Sequence, residues 1–210
     1  MKGLLWNDLY NIGHNAKRMI LILVIWAACF YGQISSGGYI IMCAFITAAM
    51  AVTNCAFDEK SNWQKYALTM PCTRKDYVLE KYLITLIYSM TGIVWGVLVT
   101  LIVTAIQKTF SMESLIAGIV MGLVISMLTG GVWILLVLKY GTEKSRLYMV
   151  GVGALVAIAV IAVTKAIREF GFSITDSQGT YLLYLSPVVG IIIVGILLWA
   201  SLRIYNRKEF

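Results

Sequence analysis

The sequence predicts an all-α membrane protein with six transmembrane helices, and three observations carry that prediction. Five stretches hold no Asp, Glu, Lys or Arg: Met19–Phe57, Tyr82–Gln107, Ser114–Leu138, Leu147–Thr164 and Ser177–Leu202. A helix needs about 20 apolar residues to cross a hydrocarbon core; four of the five stretches reach that length and Leu147–Thr164 comes close. The first is long enough for two spans and breaks at Tyr31–Tyr39 (YGQISSGGY), where Gly, Ser and Gln cluster as a turn. Composition is the second observation. Apolar residues make up 60% of the 210 and charged ones 13%, about half the charge of a soluble domain. The spans use nearly all of the chain, so no room remains for a soluble catalytic domain, and residues 1–210 read as a single transmembrane domain.

The third observation is where the basic residues fall. With the N-terminus placed in the cytoplasm, 14 of the 17 Lys and Arg lie on the cytoplasmic side, and only Lys108, Lys165 and Arg168 lie outside. Short loops rich in Lys and Arg stay cytoplasmic because moving them across the bilayer is unfavourable. Both termini are therefore expected inside. The net charge of +7 is assigned to topology and to contact with anionic lipid, with no nucleic-acid partner.

Residues 1–16 are expected to form an interfacial amphipathic helix: Leu5, Leu9 and Ile12 share a face flanked by Trp6 and Tyr10, while Asn7, Asp8, Asn11, His14 and Asn15 cover the other side. Ala27-Ala28-Cys29 faintly resembles a lipoprotein cleavage site, but the apolar run continues past it and Trp26 suits such a site poorly, so no targeting peptide is expected to be removed. Spans are expected at about 19–34, 39–57, 82–106, 115–138, 147–167 and 181–205. Trp133, Tyr140, Tyr148, Tyr181, Tyr184 and Trp199 sit near their ends, as an aromatic belt would, and Pro187 is expected to kink the last span. Gly118, Gly122, Ser126 and Gly130 recur every four residues in the fourth span, and Gly92 and Gly96 do so in the third. Small-residue stripes let helices approach closely in lipid, and packing within the bundle is the favoured reading over a subunit interface.

The segment Asp58–Tyr77 is the one substantial cytoplasmic loop. Ser61 and Gln64 are spaced as a capping box, after which Trp63, Tyr66, Ala67 and Met70 fall on one helical face until Pro71 stops the helix. Thr73 with Asp76 is expected to cap the helix that enters the third span. A short amphipathic helix over 58–72 is the result. On the residues alone it either rests on lipid or fits a socket on a cytoplasmic partner.

The run Phe57–Leu83 (FDEKSNWQKYALTMPCTRKDYVLEKYL) resembles the signature loop of ABC transporter permeases of the type-2 exporter class. The matching features are the acidic pair Asp58-Glu59, Trp63, Tyr66, Met70-Pro71, Arg74 and Lys81-Tyr82. The six-span layout and N-terminal interfacial helix match as well, so the resemblance covers the whole chain. It implies that the loop is a coupling helix docking on a separate ATP-binding-cassette subunit. Trp63, Tyr66 and Met70 would form the docking face, with Asp58, Glu59, Arg74 and Lys75 as flanking charged contacts. The second cytoplasmic loop, Lys139–Arg146 (KYGTEKSR), with Tyr140, Glu143 and Lys144, would make a smaller contact. The fifth span and the outer segment Lys165–Thr180 would match an extracellular re-entrant region.

The chain has no GxxxxGK[ST] phosphate-binding loop. The resemblance therefore places ATP and Mg in the partner subunit, leaves this chain without a cofactor, and makes it half of a transporter that needs a second permease copy or a related permease. The four cysteines show no metal-ligand spacing, three lie within spans and the fourth faces a reducing compartment, so neither a disulfide framework nor a metal is expected. No ionisable residue falls near the middle of a span, which argues against a gradient-driven carrier. The polar span residues are read first as interhelical hydrogen bonds; Thr47 and Asn54 are the candidates for a substrate path, Asn54 at its entrance. An apolar path suits amphipathic or hydrophobic cargo, and small permeases with this loop resemble exporters of peptide toxins or peptide antibiotics in the bacterial cytoplasmic membrane. Two rival readings stay open. A lipid-acting membrane enzyme would draw on Asp58, Glu59, Asp76, Glu80 and His14, and a non-transporting immunity or scaffold protein would need no ATPase.

Overall fold

A computed structural model describes residues 2–29, 37–61, 63, 73–108, 110–154 and 176–206. Among them the structure is helical: α1 (Lys2–Cys29), α2 (Gly38–Lys60), α3 (Arg74–Gln107), α4 (Met112–Tyr140), α5 (142–154) and α6 (Asp176–Asn206). Among the described residues four helices are long and apolar enough to cross a membrane: Gly38–Lys60, Arg74–Gln107, Met112–Tyr140 and Leu185–Tyr205 within α6. The apolar part of α1, Met19–Cys29, is shorter. The expected first span reaches beyond it into residues 30–34, and most of the expected fifth span and re-entrant segment lies outside the described residues. The expected interfacial helix and first span are not separated by a break, because α1 runs continuously from Lys2 to Cys29.

The centre of the bundle is α2, packed against both α3 and α4; α6 closes onto α4 and α3, and α1 leans on α3 and α2. Hydrocarbon offers helices no hydrophobic reason to associate, so close packing and polar contacts must do it. Glycines supply the closeness. A Cβ on Gly92 would run into the Thr47 hydroxyl and stand 2.7 Å from the Cys43 carbonyl, and one on Gly96 would stand 2.9 Å from the Ile40 Cα. On α4, Gly118 meets Gly37 and Ile40, Gly122 lies against Ile41 and Ala44, and Gly130 lies against Thr85 of α3. Ser126 is buried in the same row. Gly37, with φ 68°, starts α2 where any Cβ would strike the Ser114 carbonyl, so the left-handed turn and the close approach both demand glycine there.

Seven of the span hydroxyls do not bridge helices as expected. Thr47, Thr85, Ser89, Thr91, Thr104, Ser126 and Thr129 each donate to a carbonyl three or four residues back in their own helix. This bond satisfies the hydroxyl without a partner helix, and leaves the contact surfaces apolar. Tyrosines make the bridges instead. Tyr39 Oη donates to the Leu23 carbonyl at 3.0 Å, fastening α2 to α1, and the Tyr82 and Ser201 hydroxyls pair at 2.9 Å between α3 and α6.

With 34 residues, α3 is about 50 Å long, more than the roughly 30 Å hydrocarbon core requires. It therefore projects beyond the bilayer at the end where it begins. That start carries the predicted capping box: Asp76 N donates to Thr73 Oγ1 at 3.2 Å, and Thr73 N donates to Asp76 Oδ2 at 3.0 Å. Ser61 serves a different end from the one expected. Its hydroxyl donates to the Phe57 carbonyl at 2.9 Å and closes α2, while Gln64, its expected capping partner, lies outside the described residues.

Candidate functional site

The end of α2, the start of α3, the α4–α5 turn and the end of α6 gather at one end of the bundle, and the first half of α1 joins them. Here charge is buried. Lys81 Nζ lies 2.6 Å from Asp58 Oδ2, 2.8 Å from Asp8 Oδ2 and 3.4 Å from Glu80 Oε2. All four side chains are 4% exposed or less. A buried charge is tolerated only when paired, and here three carboxylates from α1, α2 and α3 surround one ammonium, which also lies 5.2 Å from the centre of the Tyr77 ring. Tyr77 in turn stacks on Tyr205 of α6 with ring centres 5.3 Å apart. Beneath lies an apolar cluster of Tyr77, Val78, Tyr82, Ile134, Leu138 and Tyr205 that joins α3, α4 and α6.

Next to Asp58, Glu59 turns the other way. Its Oε2 accepts a 2.7 Å hydrogen bond from Thr142 N, the start of α5. The first N–H groups of a helix have no partner within it and carry partial positive charge, so a carboxylate is well suited to satisfy one. The preceding turn is shaped to admit it: Gly141 has φ 82°, and a Cβ there would stand 2.8 Å from Glu59 Oε1. Around this bond lies a cleft of about 560 Å³ lined by residues of both loops, including Thr53, Lys60, Tyr140, Glu143, Lys144 and Arg146.

The structure thus brings together some of the sequence candidates and separates others. Glu59, Tyr140, Glu143 and Lys144 share the cleft. Asp58, expected as a surface contact, is buried under Lys81. Arg74 is half-buried, its Nη1 donating to the Tyr205 carbonyl at 3.4 Å, and Lys75 is exposed. Trp63 is helical and half-buried, whereas Tyr66 and Met70 lie outside the described residues, as does the rest of the expected coupling helix. Thr47 and Asn54 are buried between α2 and α3, Thr47 against Gly92 and Asn54 with its Oδ1 accepting from the Tyr88 hydroxyl at 3.4 Å. Four acids that an enzymatic reading would use are engaged: Asp58 and Glu80 with Lys81, Glu59 with Thr142, Asp76 with Thr73.

Sequence reasoning missed the roles of Asp8, Glu80 and Lys81. A signal was present, since Asp58 directly follows the apolar run Met19–Phe57 and Lys81 directly precedes the run Tyr82–Gln107. Opposite charges ending adjacent spans at the same depth are placed to pair.

The model of the ABC-2 family transporter proteins matches residues 3–206. The chain belongs to that family. It is a membrane component of an ABC transporter, multi-pass and all-helical in its described residues. Searches of curated proteins and of solved structures find no match.

Proposed function

We propose that this ABC-2 chain is the permease subunit of an ATP-driven exporter and that the charged end of its bundle is the face gripped by a separate ATP-binding-cassette subunit. The observation that carries the reading is the Glu59–Thr142 bond. It ties the base of the Trp63-bearing loop to the α4–α5 turn, so the two segments that would meet a partner form one surface. The excess of Lys and Arg at this end sets it in the cytoplasm of a bacterial cell, with both termini on that side. ATP and Mg belong to the partner. Trp63, Tyr66 and Met70 form the docking face, and Glu59, Lys75, Tyr140, Glu143 and Lys144 surround it.

A second copy, or a related permease, completes the path. The surfaces available to line it are apolar: Val94, Leu98 and Ile102 project from α3, and Val188, Ile191, Ile192 and Ile196 from α6. Such walls cost little to an amphipathic peptide and much to a highly charged solute, so peptide export is the favoured cargo class. The test is co-purification with a co-expressed ATP-binding-cassette ATPase, followed by ATP-driven uptake of amphipathic peptides into inverted vesicles. Trp63→Ala should weaken the complex at least about tenfold, as loss of a central aromatic anchor does. Full affinity and full transport in that variant would refute the docking face.

A further inference from the structure

Asp58 and Glu59 are neighbours on the last turn of α2, yet one is buried and the other exposed. Consecutive helical residues project about 100° apart, so one helix end can hold two different neighbours at once. Asp58 pairs with Lys81 at 2.6 Å. These two residues bracket 59–80, so the ion pair closes the stem of the loop. Lys81 also holds Asp8 of α1 at 2.8 Å. Among the described residues α1 is otherwise fastened at Met19, Leu23 and Ala27, three turns further on, and the outer side of the same stretch is exposed at Leu21, Val24 and Ile25.

Glu59 reaches α5 instead. This helix packs loosely beyond its first turn: Leu147 and Val150 are exposed, and a Cβ on Gly151 or Gly153 would meet nothing within 4 Å. Its first turn is the anchored part, with Thr142 N on Glu59 and the buried Ser145 hydroxyl donating to the Thr142 carbonyl at 2.8 Å.

We infer that Asp58 and Glu59 are positioning residues that divide any displacement of the loop between two peripheral helices, Asp58 passing it through Lys81 to α1 and Glu59 passing it through the Thr142 amide to α5. The inference rests on the proposed function for the idea that the loop is displaced; the two separate linkages are properties of this chain alone. Each linkage can therefore be broken without the other. Asp8→Asn removes the charge that holds α1 while leaving Asp58–Lys81 in place. Glu59→Ala removes the cap of α5 while leaving the Lys81 cluster in place, and Glu59→Gln restores an uncharged acceptor.

The experiment is amide hydrogen exchange by mass spectrometry on the full chain in lipid nanodiscs, without nucleotide or partner. Asp8→Asn should speed exchange in the first half of α1 about fivefold, as loss of a charge-assisted hydrogen bond does, with 142–146 unchanged. Glu59→Ala should speed exchange over 142–146 by a similar factor, with α1 unchanged, and Glu59→Gln should fall between Ala and the parent. If either variant loosens both helices, or neither helix responds, the divided linkage is wrong. In the transporter assembled with its ATPase, Glu59→Ala should lower transport per ATP hydrolysed at least about tenfold. An unchanged ratio would overturn the positioning role, whereas failure to find an ATPase partner would overturn the proposed function and leave the exchange pattern standing.

Discussion

An ammonium removed from water needs compensating charge, and Lys81 has three carboxylates within 3.4 Å. Removing one member of a buried ion pair leaves the other charged and desolvated, at a cost of about 3–5 kcal/mol. Lys81→Met should therefore lower the unfolding midpoint of the detergent-solubilised protein by several degrees, and an unchanged midpoint would show that the cluster contributes nothing. The motif that contains these residues was legible in the sequence, including Asp58, Glu59 and Lys81, but their division of labour was not. Asp58 and Glu59 are alike in one dimension. Only the helix rotation at the end of α2 decides that one meets Lys81 and the other the Thr142 amide. Asp8 was read as part of a solvated face because its partner lies 73 residues away, beyond the reach of any local pattern.

Among elements, α3 shows how much of a helix local chemistry can fix. Its start was legible because Thr73 and Asp76 stand three apart, and the two reciprocal bonds form. Hydrogen bonding by Thr73, first through its backbone amide and second through its side chain, holds the Asp76 carboxyl below the ordinary carboxylate range. Since the folded value lies below the unfolded one, the cap's contribution is present above the unfolded value and is lost as pH falls through the folded one. Protection of the amides at the start of α3, relative to their intrinsic exchange at each pH, should therefore fall only below about pH 4; an equal fall near neutral pH would contradict the cap. Thr73→Ala should produce the same fraying at neutral pH, worth about 1 kcal/mol. The glycine rows were legible as stripes, but a stripe cannot name the helix it meets. The structure sets Gly92 and Gly96 on α2, Gly118 and Gly122 also on α2, and Gly130 on α3. Gly92→Leu would force α3 away from Thr47 and Cys43 and should cost several degrees of thermal stability. Gly195→Leu, at a site with nothing within 4 Å, should cost little. Equal losses would mean that Gly92 does not set the close approach of α3 to α2. The hydroxyls were misread for a physical reason: a Ser or Thr in a helix always has a carbonyl one turn back, and no second helix is needed to satisfy it.

For the whole molecule, the apolar runs and the basic bias made the membrane class and the gathering of charge at one end legible, because both follow from the energy of moving charge through hydrocarbon. The order of packing around α2 was not legible, since lipid-facing and bundle-facing residues are equally apolar. The outward side of α6, with Ile191, Ile192, Ile196 and Trp199 exposed, is available to lipid or to a second permease. Cysteine cross-linking along this helix or α1 in native membranes should trap a permease pair; strictly monomeric behaviour with the ATPase bound would contradict the shared path. The central claim is that the end bearing Trp63, Glu59 and the α4–α5 turn faces the cytoplasm, where an ATPase can grip it. Membrane-impermeant maleimide labelling tests it most directly, using single cysteines in a background where the four native ones are replaced by alanine. Lys75→Cys and Glu113→Cys are exposed sites at opposite ends of the bundle. Glu113→Cys should be labelled in intact cells and Lys75→Cys only after permeabilisation. The reverse pattern would put the gripping face outside the cell and contradict the claim.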